Sequence, residues 1–198
     1  MGVSVDDIKK LRELTGVGLT DAKKALVETD GDFDKALEAM RKKGLTKAEK
    51  KGDREAREGL IEGYVHSGRI GVIVEVNCET DFVARLDDFK TLAHEIAMQI
   101  AAMSPKYVSE ADISAEEMER VRTELMASEA LASKPEEMRE KIVEGQLKKH
   151  FVEQVLMSQA YILDDSKTVK QHIKEAIAKL GENIVVRQFR RIELGVSE

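Results

Sequence analysis

Behind Ser4 and the acidic pair Asp6 and Asp7, apolar Ile8, Leu11 and Leu14 recur every third position, which predicts a capped amphipathic helix. Gly16-Val17-Gly18 breaks the period. A second helix is expected from Thr20 or Asp21, with Ala22, Ala25 and Leu26 on one face and Gly31 as its stop. A third opens at Asp32 or Asp34, carries Phe33, Leu37 and Met40, and is expected to end at Gly44. Helices this short close a core only by sharing one apolar cluster.

From Leu60 the period drops to two. Leu60, Glu62, Tyr64 and His66 alternate with Ile61, Gly63 and Val65; Ser67-Gly68-Arg69 supplies a turn, and Ile70, Val72, Val74 and Val76 line the return strand. The helical period resumes with Leu86, Phe89, Ala93, Ile96, Ala97 and Ile100 in one stripe. Ser114 and Glu117 are spaced as a capping box before Met118, Val121 and Leu125. Pro135 suits the first position of a helix expected to pass Val155, with Leu147 and Phe151 in a stripe widened by Ile142, Val143, Val152 and Leu156. A last helix carries Val169, Ile173, Ala176, Ile177 and Leu180 and stops at Gly181. The closing NIVVRQFRRIEL reads as a strand with Ile184, Val186, Ile192 and Leu194 on one face.

This order predicts an α+β fold: an N-terminal three-helix domain over 1–45, a basic linker over 46–57, and a core over 58–198. The core is expected to hold a small antiparallel three-stranded sheet with several helices on one side. Between 41 and 57 lie eight basic and three acidic residues with no interleaved aromatic ring, so the stretch is a solvated hinge or a phosphate-binding strip.

Composition narrows the function more than the fold. A net charge of −6 argues against direct nucleic-acid binding. A single cysteine, Cys78, excludes an internal disulfide and fits a reducing compartment. MGVSVDDIKK has no apolar leader, and no run approaches the ~20 apolar residues of a membrane span, so a cytoplasmic protein with no membrane partner is expected. No G-x-x-x-x-G-K-[ST] or G-x-G-x-x-G loop occurs, and His66, His94, His150 and His172 have no metal-ligating spacing among themselves. Cys78, at the end of an apolar strand, reads as a small buried hydrophobe more readily than as a nucleophile. No enzyme activity, metal or cofactor is expected.

Three stretches are more specific. LRELTGVGLTDAKKAL, residues 11–26, resembles the N-terminal signature of the elongation factor Ts family through Leu11-Arg12, Thr15-Gly16, Gly18-Leu19, Asp21 and Lys23-Lys24-Ala25-Leu26. EVNCETDFVAR, residues 75–85, resembles that family's central motif, and GENIVVRQF, residues 181–189, its C-terminal strand. The resemblance implies a guanine-nucleotide exchange factor that binds elongation factor Tu in its GDP-bound and nucleotide-free states. It also implies that the three helices form a ubiquitin-associated-type domain contacting Tu through Arg12, Leu19 and Thr20. Many relatives carry an apolar residue where this chain has Thr20, whose hydroxyl is otherwise placed to cap a helix; Leu19 is otherwise a core position.

In the central motif, Thr80, Asp81, Phe82 and Val83 are implied to form a wedge that disturbs the Mg²⁺ and phosphate side of the Tu nucleotide site. On residue pattern alone Phe82 reads more readily as a first-turn residue packed on the hairpin, and the resemblance reverses that reading. Longer family members duplicate the core; a chain with one core is expected to form a homodimer in a two-plus-two complex. The Ile142–Leu156 stripe is then a dimer seam or an internal contact. The rival reading is a non-catalytic adaptor that binds a partner through the three-helix domain.

Overall fold

Ser4 opens α1 (Val5–Thr15) by accepting hydrogen bonds from the amides of Asp6 and Asp7, and Gly16, at φ 66°, closes it. The computed structural model describes residues 3–128 and 135–196, so the outermost ends of the expected units, 1–2 and 197–198, lie outside the described residues. α2 (Leu19–Glu28) starts earlier than expected, with Gly18 as its N-cap and no side-chain cap, so the Thr20 hydroxyl does not cap it. α3 (Phe33–Glu49) is capped by Asp32, whose carboxylate accepts from the Lys35 amide at 3.1 Å. Leu11, Ala22, Ala25, Leu26, Ala36 and Met40 form the shared cluster, flanked by Ile8, Phe33 and Leu37. Leu14, expected on the same face, is instead 51% exposed.

Gly44 does not end α3. A Cβ there would lie 3.0 Å from the Ala178 Cβ, so this glycine serves the close approach of two helices. The helix continues, and Ala48 is buried in the main core. Beyond it the basic stretch is tied down: Lys174 pairs with Glu49 at 2.6 Å, and Lys51 donates to the Gly181 carbonyl.

β1 (Glu58–His66) and β2 (Ile70–Cys78) form the expected hairpin. Ser67 and Gly68, both at positive φ, make a turn whose twist matches the strands. After β2 comes a single-turn helix, α4 (Asp81–Ala84), and then α5 (Asp87–Met103). Phe89, Ala93, Ile96, Ala97 and Ile100 of α5 pack into one cluster with Val72, Val74 and Val76 of β2. Leu86, expected in that stripe, is the N-cap of α5 and stays half-exposed.

α6 (Ala115–Met126) is capped by Ser114, which accepts from the Glu117 amide at 3.1 Å. Only half of the expected box forms, because the Glu117 carboxylate takes Arg120 at 2.8 Å instead. α7 (Glu136–Val152) uses Pro135 as N-cap, not as its first residue, and ends short of Val155. Past its end the backbone pairs with an upstream segment: the Leu156 amide donates to Tyr107 and the Met157 amide to Val108. Val143, Phe151, Val155 and Leu156 are buried within the chain, so most of the expected seam is an internal contact.

A short hairpin, β3 (Ala160–Tyr161) with β4 (Asp164–Thr168), leads into α8 (Val169–Leu180), which Gly181 closes at φ 84°. β5 (Val185–Glu193) returns antiparallel to β2, giving the strand order β1-β2-β5. Its face does not run as expected. Gln188 pairs with Glu75 and Val186 with Val76, leaving Arg187 unpaired in a bulge that flips the alternation. Ile184 and Val186 point inward, whereas Ile192 is 71% and Leu194 62% exposed. Among the described residues, no helix is long and apolar enough to cross a membrane.

Candidate functional site at the β2–α5 junction

Where β2 ends, the chain must turn from strand to helix within a few residues. Thr80, with extended backbone at φ −131° and ψ 154°, is the N-cap of α4, and its hydroxyl oxygen accepts from the Val83 amide. Successive residues of a helix point about 100° apart. Because Val83 is buried at 8% exposure, its neighbour Phe82 is turned outward and stands 77% exposed. Asp81 flanks the ring, half-exposed, with its carboxylate 2.8 Å from the Arg85 guanidinium. An aromatic ring left this open loses apolar burial worth ~2–3 kcal/mol, so folding alone does not explain its place.

The base of this turn is braced from far along the chain. One oxygen of the Glu182 carboxylate accepts from the Glu79 amide at 3.1 Å and from the Thr80 amide at 3.0 Å. Its other oxygen accepts from the Thr80 hydroxyl at 2.7 Å. In return Glu79 accepts from the Asn183 amide at 2.7 Å, and its other oxygen lies 3.6 Å from the Arg54 guanidinium. The buried Asn183 side chain donates to the carbonyls of Gly52 and Arg54. Glu182 and Asn183 were not singled out in the sequence, although they lie inside one of the three signature stretches. Their partners lie 102 to 131 positions away along the chain, a separation no local pattern carries.

Cys78 sits under this turn, fully buried, its thiol donating to the Thr80 carbonyl at 3.1 Å. Burial, reinforced by the negative charge of Glu182, pushes the thiol up to about 11. It stays protonated at neutral pH and lacks the thiolate that a nucleophile needs.

The other predicted residues lie elsewhere. Arg12 lies in the last turn of α1, and Leu19 and Thr20 begin α2, so they flank the Gly16-Val17-Gly18 corner. Arg12, Leu19 and Thr20 are all exposed, Leu19 at 51%. That corner is seated on α8, since a Cβ on Gly16 would fall 2.4 Å from the Lys179 Cα.

A family model described as Elongation factor TS matches residues 46–196. The chain belongs to the elongation factor Ts family. The match begins at the end of α3 and takes in the whole β2–α5 junction. Relatives named Elongation factor Ts also cover the three-helix unit. The protein of Thermotoga neapolitana is 55% identical over 196 residues, 98% of each chain, and that of Thermotoga maritima 54% over the same span. The protein of Herpetosiphon aurantiacus is 50% identical over 196 residues, 98% of this chain and 99% of its own. As a member of the elongation factor Ts family, the chain has a role in translation elongation.

Proposed function

We propose that this chain is a guanine-nucleotide exchange factor for elongation factor Tu, acting by protein contact without a catalytic group of its own. The observation that carries the reading is Phe82: a ring 77% exposed on a turn held by a carboxylate and by buried Val83. Tight GDP binding depends on Mg²⁺ and on oriented backbone amides around the phosphates. A rigid apolar ring with an adjacent carboxylate, Asp81, is suited to stabilise a Tu conformation in which those contacts are lost. Nucleotide and wedge then weaken each other equally, as linkage requires. Each tenfold gain in release needs only about 1.4 kcal/mol of such coupling, a magnitude that one protein contact supplies. Arg12, Leu19 and Thr20 fit a second contact that holds the partner while the wedge acts. Release of a fluorescent GDP from Tu, followed with and without this chain, tests the reading. Acceleration is expected, and an unchanged rate would refute it.

The exchange factor works in the cytoplasm as a homodimer, in a two-plus-two complex with Tu. With the α7 stripe occupied internally, the outward face of the sheet supplies the seam. Ile61, Val65, Ile73 and Ile192 are 71%, 69%, 59% and 71% exposed, more apolar surface than scattered single residues account for. Sedimentation is expected to give the mass of two chains; the mass of one would overturn the dimer.

A further inference from the structure

We propose that Glu182 is the positioning residue of the wedge, holding Phe82 and Asp81 in the orientation that acts on the partner. This role rests on the exchange reading above. The carboxylate fills the gap between the end of β2 and the start of α4. There it gathers two consecutive amides and one hydroxyl, at 3.1, 3.0 and 2.7 Å. Two consecutive N–H groups converging on one oxygen fix the peptide plane between Glu79 and Thr80, and so the direction in which α4 leaves the strand. The hydroxyl bond on the other oxygen fixes Thr80, the residue that caps α4. Phe82 has no comparable support of its own, being mostly exposed, so its aim is set by the backbone beneath it.

The same corner explains why Glu182 itself does not move. It follows Gly181, the C-cap of α8, whose carbonyl receives Lys51, and it precedes Asn183, which is buried and tied to Gly52 and Arg54. The Asn183 amide donates back to Glu79 at 2.7 Å, so the two chain segments hold each other from both sides. A glutamine at 182 keeps the shape but replaces one acceptor oxygen with an N–H₂ group. That group would face the amides or hydroxyl that the carboxylate now receives.

The test is a concentration series of GDP release from Tu, read as a limiting rate and a half-saturating concentration, with Glu182→Gln beside the unmodified chain. A misaimed wedge still docks through the rest of the surface. The limiting rate is therefore expected to fall about tenfold, the equivalent of one charge-assisted hydrogen bond, with half-saturation within about threefold. Amide hydrogen exchange at Glu79 and Thr80 is expected to quicken in the variant. An unchanged limiting rate, with or without a change in half-saturation, would overturn the role, as would unchanged exchange of those amides. Should Glu182→Gln fail to fold, Glu182→Asp serves in its place, keeping the charge but withdrawing the carboxylate by one methylene from the Glu79 and Thr80 amides. A slower limiting rate with half-saturation within about threefold is expected, and an unchanged limiting rate would overturn the proposal. An inactive unmodified chain would refute the exchange reading and this role with it. An active one beside an equally active Glu182→Gln would refute only the role of Glu182.

Discussion

Phe82→Ala is expected to lower the limiting rate of GDP release from elongation factor Tu by about 30- to 100-fold, the equivalent of ~2–3 kcal/mol of partner contact. The ring is 77% exposed, so its removal takes little from the folded chain. Surface truncations of this kind stay within about 0.5 kcal/mol, which for a chain of this size moves the thermal midpoint by less than about 2 °C. Val83 and the Thr80 cap remain, so α4 keeps its place and the variant presents an intact but blunted turn. The loss falls on the limiting rate because the ring is asked to act in the strained complex, when the nucleotide contacts are giving way. Stopped-flow release of fluorescent GDP at saturating exchange factor, beside a melting curve, measures both quantities. A variant that exchanges at the unmodified rate would remove Phe82 from the mechanism. A variant that loses stability in step with rate would make the ring a structural residue instead.

Local patterns read well where one face of an element is buried and its period is unbroken. Phe89, Ala93, Ile96, Ala97 and Ile100 in α5, and Val72, Val74 and Val76 in β2, all lie in the core as their spacing predicts. The errors share a cause: a tertiary contact overrode a local signal. Gly44 carries the signature of a helix stop, but Ala178 packs against it and α3 runs on. Val155 and Leu156 continue a helical stripe, yet Val155 is extended and Leu156 opens a short 3-10 turn whose first amides donate to Tyr107 and Val108. The bulge at Arg187 turns Ile192 and Leu194 outward, and nothing in NIVVRQFRRIEL marks where an extra residue enters. The hairpin of β3 and β4 is too short and polar, DDSKT in its longer strand, to show a period at all. At the site, the residue types at Thr80 to Val83 were legible from the motif. The exposure of Phe82 runs against its own neighbourhood, where a first-turn aromatic behind an apolar strand reads sooner as packed on the hairpin; the motif resemblance alone pointed it outward. The brace from Glu182 was invisible, because a carboxylate after a helix-ending glycine looks like ordinary surface chemistry.

Phe89→Ala is expected to do the reverse of Phe82→Ala, lowering folding stability by about 3–5 kcal/mol, the range for deleting a buried aromatic ring. Phe89 lies seven positions further along and is fully buried, packed in the main core with the valines of β2. Its amide donates to the Leu86 carbonyl in the first turn of α5, so the ring anchors the helix start directly behind the wedge. Removing it leaves a cavity between sheet and helix that close-packed neighbours only partly fill. Urea unfolding is expected to show a lower midpoint with an unchanged slope, since the surface exposed on unfolding stays nearly the same. Where the variant remains folded, its exchange rate is expected to fall far less than that of Phe82→Ala. The ring is fully buried and offers no surface to a partner, and Glu182 still holds the turn from its other side. A loss below about 1 kcal/mol would mean that the core collapses to fill the space. An exchange defect as deep as that of Phe82→Ala in fully folded Phe89→Ala would mean that the mount, and not the exposed ring, sets the rate.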